Sequence, residues 1–369
     1  MEGSRLSFNY WKNNITSRYK KKGIYCTKKK GCGLVNGDYR VVFLKRNTNN
    51  SFMPNMYVFP GGSIECSDFS SAWYDVFNKC GYSQSKLEEL RTDAPPPRLY
   101  RDKPNHFILP ELGFRIAAIR ETFEESGVLL AKHLPENCLT LDDINKWRDI
   151  IHNDASQFVT FFREVGGCPA VWDLHEWISY LTPTHVGNRR YDTAFYITFM
   201  DKLPKVVFDE TEMSGLQISS PQSLLEKWHR GEFSVGPPQL HELQRLLNFP
   251  HFDDLKRFAE VRGRKGMDEY FNVRILTPEG IIVVLPGDDL YPTEPDYLGD
   301  EPQLEMDCSM EELRKSANKL HRYELRPGSN MELVVNIDPK FGHKRPVNYN
   351  QVYKNPLRNR VKNQVKRLE

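Results

Sequence analysis

No stretch of this 369-residue chain approaches the roughly 20 apolar residues of a membrane span, and no signal-peptide apolar region is visible. No Cys-x-x-Cys pair occurs among the seven cysteines, Cys26, Cys32, Cys66, Cys80, Cys138, Cys168 and Cys308. Their odd number and their scatter argue against a structural zinc site and fit reduced thiols in an intracellular compartment. Internal repeats are absent. So is a strong net charge: 51 basic residues against 49 acidic ones leave +2, a balance that points neither toward nor away from nucleic acid. The one marked asymmetry lies at the start, where Lys20, Lys21, Lys22, Lys28, Lys29 and Lys30 face a single acid, Glu2. Residues 1–33 read as a basic, solvated arm with no apolar strand. The arm is mainly Lys, whereas a mitochondrial presequence is Arg-rich.

What is present suffices for a packed core. Hydrophobic residues make up 39% and aromatics 12%, over a length that suits one large domain or two ordinary ones. Strands are expected over 39–44 and 56–59, the second stopped by Pro60-Gly61-Gly62. Residues 69–110 read as an insertion with one short helix, 71–77, and a loop signature at Pro95-Pro96-Pro97. Helical periodicity is strong over 112–130, and Gly127 is a plausible stop. Helices over 141–149 and 155–165 follow, then strands over 177–182, 191–200 and 217–219 and a helix over 221–229. From Pro237 onward, helices over 240–248 and 253–261 precede two strand pairs, 273–277 with 281–285 and 322–325 with 331–337. This extension runs to about residue 345. Residues 346–369 form a polar, basic tail.

The residues that carry chemistry are Glu121, Glu124 and Glu125. At i, i+3 and i+4 they share one helix face. A bare run of this kind is ordinarily a solvated acidic surface. Three carboxylates this close repel one another, and a hard divalent cation such as Mg²⁺ or Mn²⁺ removes that cost. Arg120 is placed to pair with one of them or to orient a neighbour.

The context is specific. Arg120-Glu121-Thr122-Phe123-Glu124-Glu125-Ser126-Gly127-Val128 resembles the second half of the Nudix box, with Thr122 where an apolar residue is usual. Tyr57-Val58-Phe59-Pro60-Gly61-Gly62 resembles the strand and double-glycine turn that open it, and Asp68 stands where the family has Glu. Between Asp68 and Arg120 lie the 51 residues 69–119, where the family has seven. Loop closure entropy grows by only about 0.6 kcal/mol per doubling of length, so a split box can still close. The chain is thus identified as a member of the Nudix family. The resemblance implies an α+β fold, an α/β/α sandwich with a mixed central sheet, spanning 34–236. It also implies that 69–110 loop out while Gly61 and Gly62 come to lie beside Glu121, Glu124 and Glu125.

An interrupted box, together with Phe52-Met53-Pro54, Arg189-Arg190-Tyr191-Asp192-Thr193-Ala194-Phe195 and Leu285-Pro286-Gly287-Asp288-Asp289-Leu290-Tyr291, resembles a coenzyme A-cleaving branch of the family. Ser51 and Asn55 depart from a coenzyme A signature of related hydrolases, which has Arg and Gly there. The resemblance implies hydrolysis of a diphosphate, coenzyme A or acyl-coenzyme A, to 3′,5′-ADP and 4′-phosphopantetheine products. It assigns Glu121, Glu124 and Glu125 to Mg²⁺ or Mn²⁺, and Arg120 to the catalytic group. Glu212 is a candidate further acid outside the box. Gly61, Gly62, Arg189 and Arg190 are candidates for contact with phosphate. Other diphosphates (a nucleotide sugar, a dinucleotide, capped RNA) and a silent Nudix binding module are the competing readings. The branch implies peroxisomes, although Lys366-Arg367-Leu368-Glu369 is not a Ser-Lys-Leu signal, leaving cytoplasm and mitochondrion open.

Overall fold

The computed structural model describes residues 18–28, 37–50, 53–101, 108–186, 190–202, 206, 213–299 and 303–349. Its strands are β1 Arg18–Lys28, β2 Tyr39–Arg46, β3 Tyr57–Val58, β4 Ala131–Lys132, β5 Cys168–Pro169, β6 His175–Leu181 and β7 Tyr191–Met200. They continue with β8 Met213–Ser219, β9 Asp268–Phe271, β10 Val273–Thr277, β11 Gly280–Val284, β12 Leu304–Glu305, β13 His321–Leu325 and β14 Glu332–Val335.

The central sheet runs β3-β2-β1-β7-β6-β9, with β8 also paired to β2. It is mixed: β1 with β7 and β6 with β9 are parallel, and the other pairs are antiparallel. Alternation along each strand divides the side chains between two faces. Tyr25, Val42, Ala194 and Tyr196 enter one core, with the helix Pro110–Ser126 and the segment before it. Ile24, Val41, Phe195 and Ile197 enter the other, with Leu224, Leu240, Leu243 and Leu255 of three later helices. Both faces are therefore covered by helices, giving the α/β/α sandwich.

Three features differ from the sequence reading. First, the basic arm supplies the middle of the sheet. Its lysine run hides the apolar stretch Ile24-Tyr25-Cys26, which is fully buried in β1. Lys22 is buried too, because two backbone carbonyls take its ammonium. Second, the described residues of 69–110 do not loop out. They fold into helices Ala72–Lys79, Gln84–Glu88 and Arg98–Arg101. Trp73, Val76, Phe77, Leu87, Leu99 and Tyr100 pack in the same core as the box helix. Buried Tyr100 donates to Glu176 Oε1 at 2.9 Å and shares a 2.7 Å bond with Tyr196, pinning the insertion to β6 and β7. Third, the extension after Pro237 joins the central sheet through β9. Buried Glu242, on the helix Pro237–Leu246, accepts from Trp177 Nε1 at 2.6 Å, Tyr180 Oη at 3.0 Å and Arg245 Nε at 2.9 Å. The second sheet, β12-β10-β11-β13-β14, packs beyond it, with the helix Met310–Ser316, unforeseen in sequence, against its core.

Candidate active site

The box helix Pro110–Ser126 starts on Pro110, whose missing N–H costs nothing in a first turn. It stops at Gly127, whose φ of 69° is the left-handed conformation that favours glycine. Two positions explain how tightly it seats. Gly113 has no side chain where the Phe69 ring lies: a Cβ there would stand 2.3 Å from that ring. Thr122, the departure from the family pattern, donates its hydroxyl to Ala118 O at 2.8 Å and accepts from Tyr25 Oη of β1 at 2.5 Å. A polar residue is accommodated there because β1 offers it a hydroxyl.

The two halves of the split box meet at this helix. Gly61 N donates to Glu125 Oε2 at 2.7 Å. Arg120 spends all five guanidinium N–H groups on the junction. Nε reaches Asp68 Oδ1 at 2.8 Å, and Nη2 reaches Asp68 Oδ2 and Ser63 O, both at 2.9 Å. Nη1 divides between Glu124 Oε1 at 2.7 Å and Glu121 Oε1 at 3.2 Å. Arg120 and Asp68 are almost wholly buried, side chains 2% and 1% exposed. Asp68 also receives Glu65 N at 2.7 Å, which shapes the turn after the double glycine. Across the 51 intervening residues the box closes through a bidentate ion pair.

Gly62 is placed by close approach. A Cβ on it would lie 2.0 Å from Glu121 Oε2 and 2.6 Å from Glu121 Cδ. Gly62→Ala is therefore expected to displace that carboxylate. Activity should fall by ~10-fold or more, since a misplacement of about 1 Å can cost on the order of 10²-fold. The thermal midpoint should move little, because a Glu side chain can rotate away. An active Gly62→Ala enzyme with unchanged kcat/KM would show that Glu121 is not needed where it stands.

In sequence Lys22 belongs to a solvated basic arm. Instead its Nζ donates to Phe59 O at 2.8 Å and Gly61 O at 2.9 Å, so β1 clamps the double-glycine turn from behind. Gly23 N adds a 2.8 Å bond to Pro60 O. Burial brings the Lys22 ammonium down to about 7, opposed by the nearby Glu125 charge. The carboxylates show the converse. Burial pushes the Glu121 carboxyl up to about 8, with Arg120 opposing and Glu124, Glu125 and Asp68 adding. Glu124 is shifted upward as well, first by burial, with Arg120 opposing.

The glutamates face an open pocket of about 530 Å³, bounded by Glu65, Cys66 and Ser67 on one side and by residues 151–156 on another. The helix Leu141–Asn153 forms that second wall. Thr140 starts it with a reciprocal capping box to Asp143. Its Arg148 donates from Nε and Nη2 to Glu124 O at 3.0 and 2.7 Å.

Three candidates remain. Arg189 and Glu212 lie outside the described residues. Arg190 donates to Thr182 O at 2.9 Å and Tyr297 O at 2.6 Å, bracing backbone between the two sheets.

A turn of two glycines seated on a glutamate-bearing helix, beneath a mixed sheet with helices on both faces, is the architecture of the Nudix class. Within it the match is narrower. Residues 21–246 match the NUDT19 Nudix domain and residues 274–336 the NUDT19 C-terminal domain. The chain is 36% identical over 343 residues to acyl-coenzyme A diphosphatase NUDT19 of Xenopus laevis, covering 87% of this chain and 89% of that protein. To the Homo sapiens protein of the same name it is 31% identical over 328 residues, covering 84% and 87%. The solved structure of a Nudix hydrolase from Alicyclobacillus acidocaldarius overlays 66% of the chain and 97% of its own, at 18% identity and a TM-score of 0.47. The chain belongs to the NUDT19 family of Nudix hydrolases.

Proposed function

We propose that the chain hydrolyses the diphosphate bond of coenzyme A and its acyl esters, releasing 3′,5′-ADP and (acyl-)4′-phosphopantetheine. The observation that carries the hydrolase reading is the reassembled box, in which Gly61 N meets Glu125 and Arg120 ties Asp68 to Glu121 and Glu124. The substrate is inferred from the relatives, which are named acyl-coenzyme A diphosphatases.

The donor set fits Mg²⁺ or Mn²⁺. All its ligating atoms are hard carboxylate oxygens. Asp68, Glu121, Glu124 and Glu125 outnumber the two cations beside them, Arg120 and Lys22. No three His, Cys, Asp or Glu side chains among the described residues form a ready-made cage. Sites that take Mg²⁺ through one or two carboxylates plus substrate phosphates need none. Glu121 and Glu125 would hold the ion, with Glu124 as the third carboxylate. Bound there, it would neutralise phosphate charge and acidify a water.

The protein's own groups do the positioning. Lys22 and Gly23 hold the double-glycine turn, so that Gly61 presents its N–H to Glu125. Arg120 keeps Glu124 and Glu121 from swinging toward solvent. Gly62 leaves room for the Glu121 carboxylate. Water attacks one phosphorus, the bridging P–O bond breaks, and its oxygen leaves with the other phosphate.

Mass spectrometry of coenzyme A incubated with the protein and Mg²⁺ tests this directly. Equimolar 3′,5′-ADP and 4′-phosphopantetheine are expected. Equal or faster turnover of ADP-ribose would overturn the substrate assignment, and no turnover of any diphosphate would overturn the hydrolase reading.

A further inference from the structure

A diphosphate entering this pocket meets a wall of carboxylates: the box glutamates together with Glu65 and Asp154. Arg120 lines the pocket too, yet its five N–H groups are already taken by Asp68, Ser63 O, Glu121 and Glu124. It has no donor left for substrate. Asn153 spends an amide N–H on Asp149 O at 2.7 Å. Its second amide N–H and the imidazole N–H of His152 remain as side-chain N–H donors among the lining residues.

His152 is held where such a contact is useful. It lies on the helix Leu141–Asn153, four residues after Arg148 and hence on the same face. Arg148 fastens that face to the backbone of Glu124 with two hydrogen bonds. The imidazole is therefore positioned against the box helix itself. Its Nδ1 stands 3.7 Å from Glu124 Oε2, too far for a hydrogen bond. At 47% exposure the ring is open to the pocket. Neither nitrogen has a hydrogen-bond partner among the described residues.

We propose that His152 is a substrate-binding residue, its imidazole N–H donating to a phosphate oxygen of the diphosphate from the wall of the pocket formed by the Leu141–Asn153 helix. This assignment rests on the diphosphatase reading above for its substrate. Its physical content is a donor facing a pyrophosphate-like anion in a pocket whose charged lining is mostly acidic. A hydrogen bond to a charged oxygen is stronger than a neutral one.

Three proteins decide it: wild type, His152→Ala and His152→Gln, the last keeping an N–H donor. With coenzyme A and Mg²⁺, His152→Ala should raise KM by about 10-fold and change kcat by less than about threefold. His152→Gln should recover most of that loss. Thermal midpoints should agree within a degree or two, because the side chain is half exposed. Calorimetric binding of inorganic pyrophosphate with Mg²⁺ should weaken by about the same factor in His152→Ala. An unchanged KM and pyrophosphate affinity in His152→Ala would overturn the assignment while leaving the coenzyme A reading intact. If the wild type fails to cleave coenzyme A, that reading falls, and the pyrophosphate measurement alone then decides the role of His152. A wild type that binds no pyrophosphate overturns the assignment as well.

Discussion

Replacing Arg120 with methionine is expected to destabilise the protein by about 3–5 kcal/mol, the range for removing one partner of a buried ion pair, and to abolish detectable hydrolysis. The reason is the number of groups left behind. The guanidinium is 2% exposed and satisfies Asp68 twice, Ser63 O, Glu121 and Glu124. Methionine fills much of the volume and answers none of these acceptors. Asp68 would be left buried with its carboxylate unpaired and facing the box glutamates. Burial works against the Arg120 charge, yet Asp68 and Glu121 outweigh it and hold that charge far above its ordinary range. A loss of this size is a large share of the roughly 5–15 kcal/mol that holds a domain together. It corresponds to a fall in thermal midpoint on the order of 10 °C. Arg120→Lys should fall between, since one ammonium has three donors where five are used. Asp68→Asn tests the same junction from the other end and should lose stability with a smaller loss of activity, because it leaves Nη1 on Glu121 and Glu124. Differential scanning calorimetry on the three variants reads these shifts. A midpoint within two degrees of wild type for Arg120→Met would show that the box does not depend on this ion pair for closure.

That junction also shows what could and could not be read from the residues. The box helix was legible because its evidence is local. Small residues at Ala117-Ala118, a run of box residues and a terminal Gly127 all lie within one segment, and the helix spans Pro110–Ser126. The strands Tyr191–Met200 and Val273–Thr277 and the helix Pro221–His229 were legible for the same reason, having uninterrupted β-prone or capped helical sequence. β1 was not. Its burial depends on partners distant in sequence: Tyr25 bonds Thr122, and Lys22 bonds carbonyls 37 and 39 residues away. Composition alone makes Lys20-Lys21-Lys22 a solvated run, and only the turn at Phe59–Gly61 makes one of those lysines a buried clamp. The signal available was Gly23-Ile24-Tyr25-Cys26-Thr27, a short β-prone stretch enclosed by charge. The packing of the insertion is not legible for a related reason. Trp73, Val76 and Phe77 were visible as one short apolar helix, but Leu87, Leu99 and Tyr100 are spaced too irregularly to announce a core. For Arg120, pairing with the glutamates was legible from its place beside them, whereas its bonds to Asp68 and Ser63 O depend on residues more than fifty positions away.

Glu125→Gln is expected to have a large effect on catalysis and little on structure. The substitution keeps the shape of the side chain and an oxygen that can accept from Gly61 N, which donates to Oε2 at 2.7 Å. It removes a negative charge from a side chain that is almost fully buried beside Lys22 and Glu121. If Glu125 serves only to hold the turn, the amide should do this nearly as well, and activity should persist. If it supplies charge to bind a divalent cation, no neutral oxygen replaces it. Electrostatic groups of this kind are worth ~10²- to 10³-fold in rate, so kcat should fall by at least about 100-fold. Binding of Mn²⁺, followed by the loss of its free paramagnetic resonance signal, should weaken in parallel. Stability should not fall with it. Glu125 contributes to the mutual repulsion with Glu121 that, together with burial, raises the Glu121 carboxyl. Neutralising one member relieves repulsion among the others, and the thermal midpoint is expected to hold or rise by a few degrees. The combination is diagnostic: a protein at least as stable as wild type, with weakened Mn²⁺ binding and little turnover, has lost an electrostatic function and kept its fold. Retained activity with weakened Mn²⁺ binding would separate Glu125 from the chemistry. Retained activity with unchanged binding would remove it from the metal site altogether, leaving Glu121 as the carboxylate to test next.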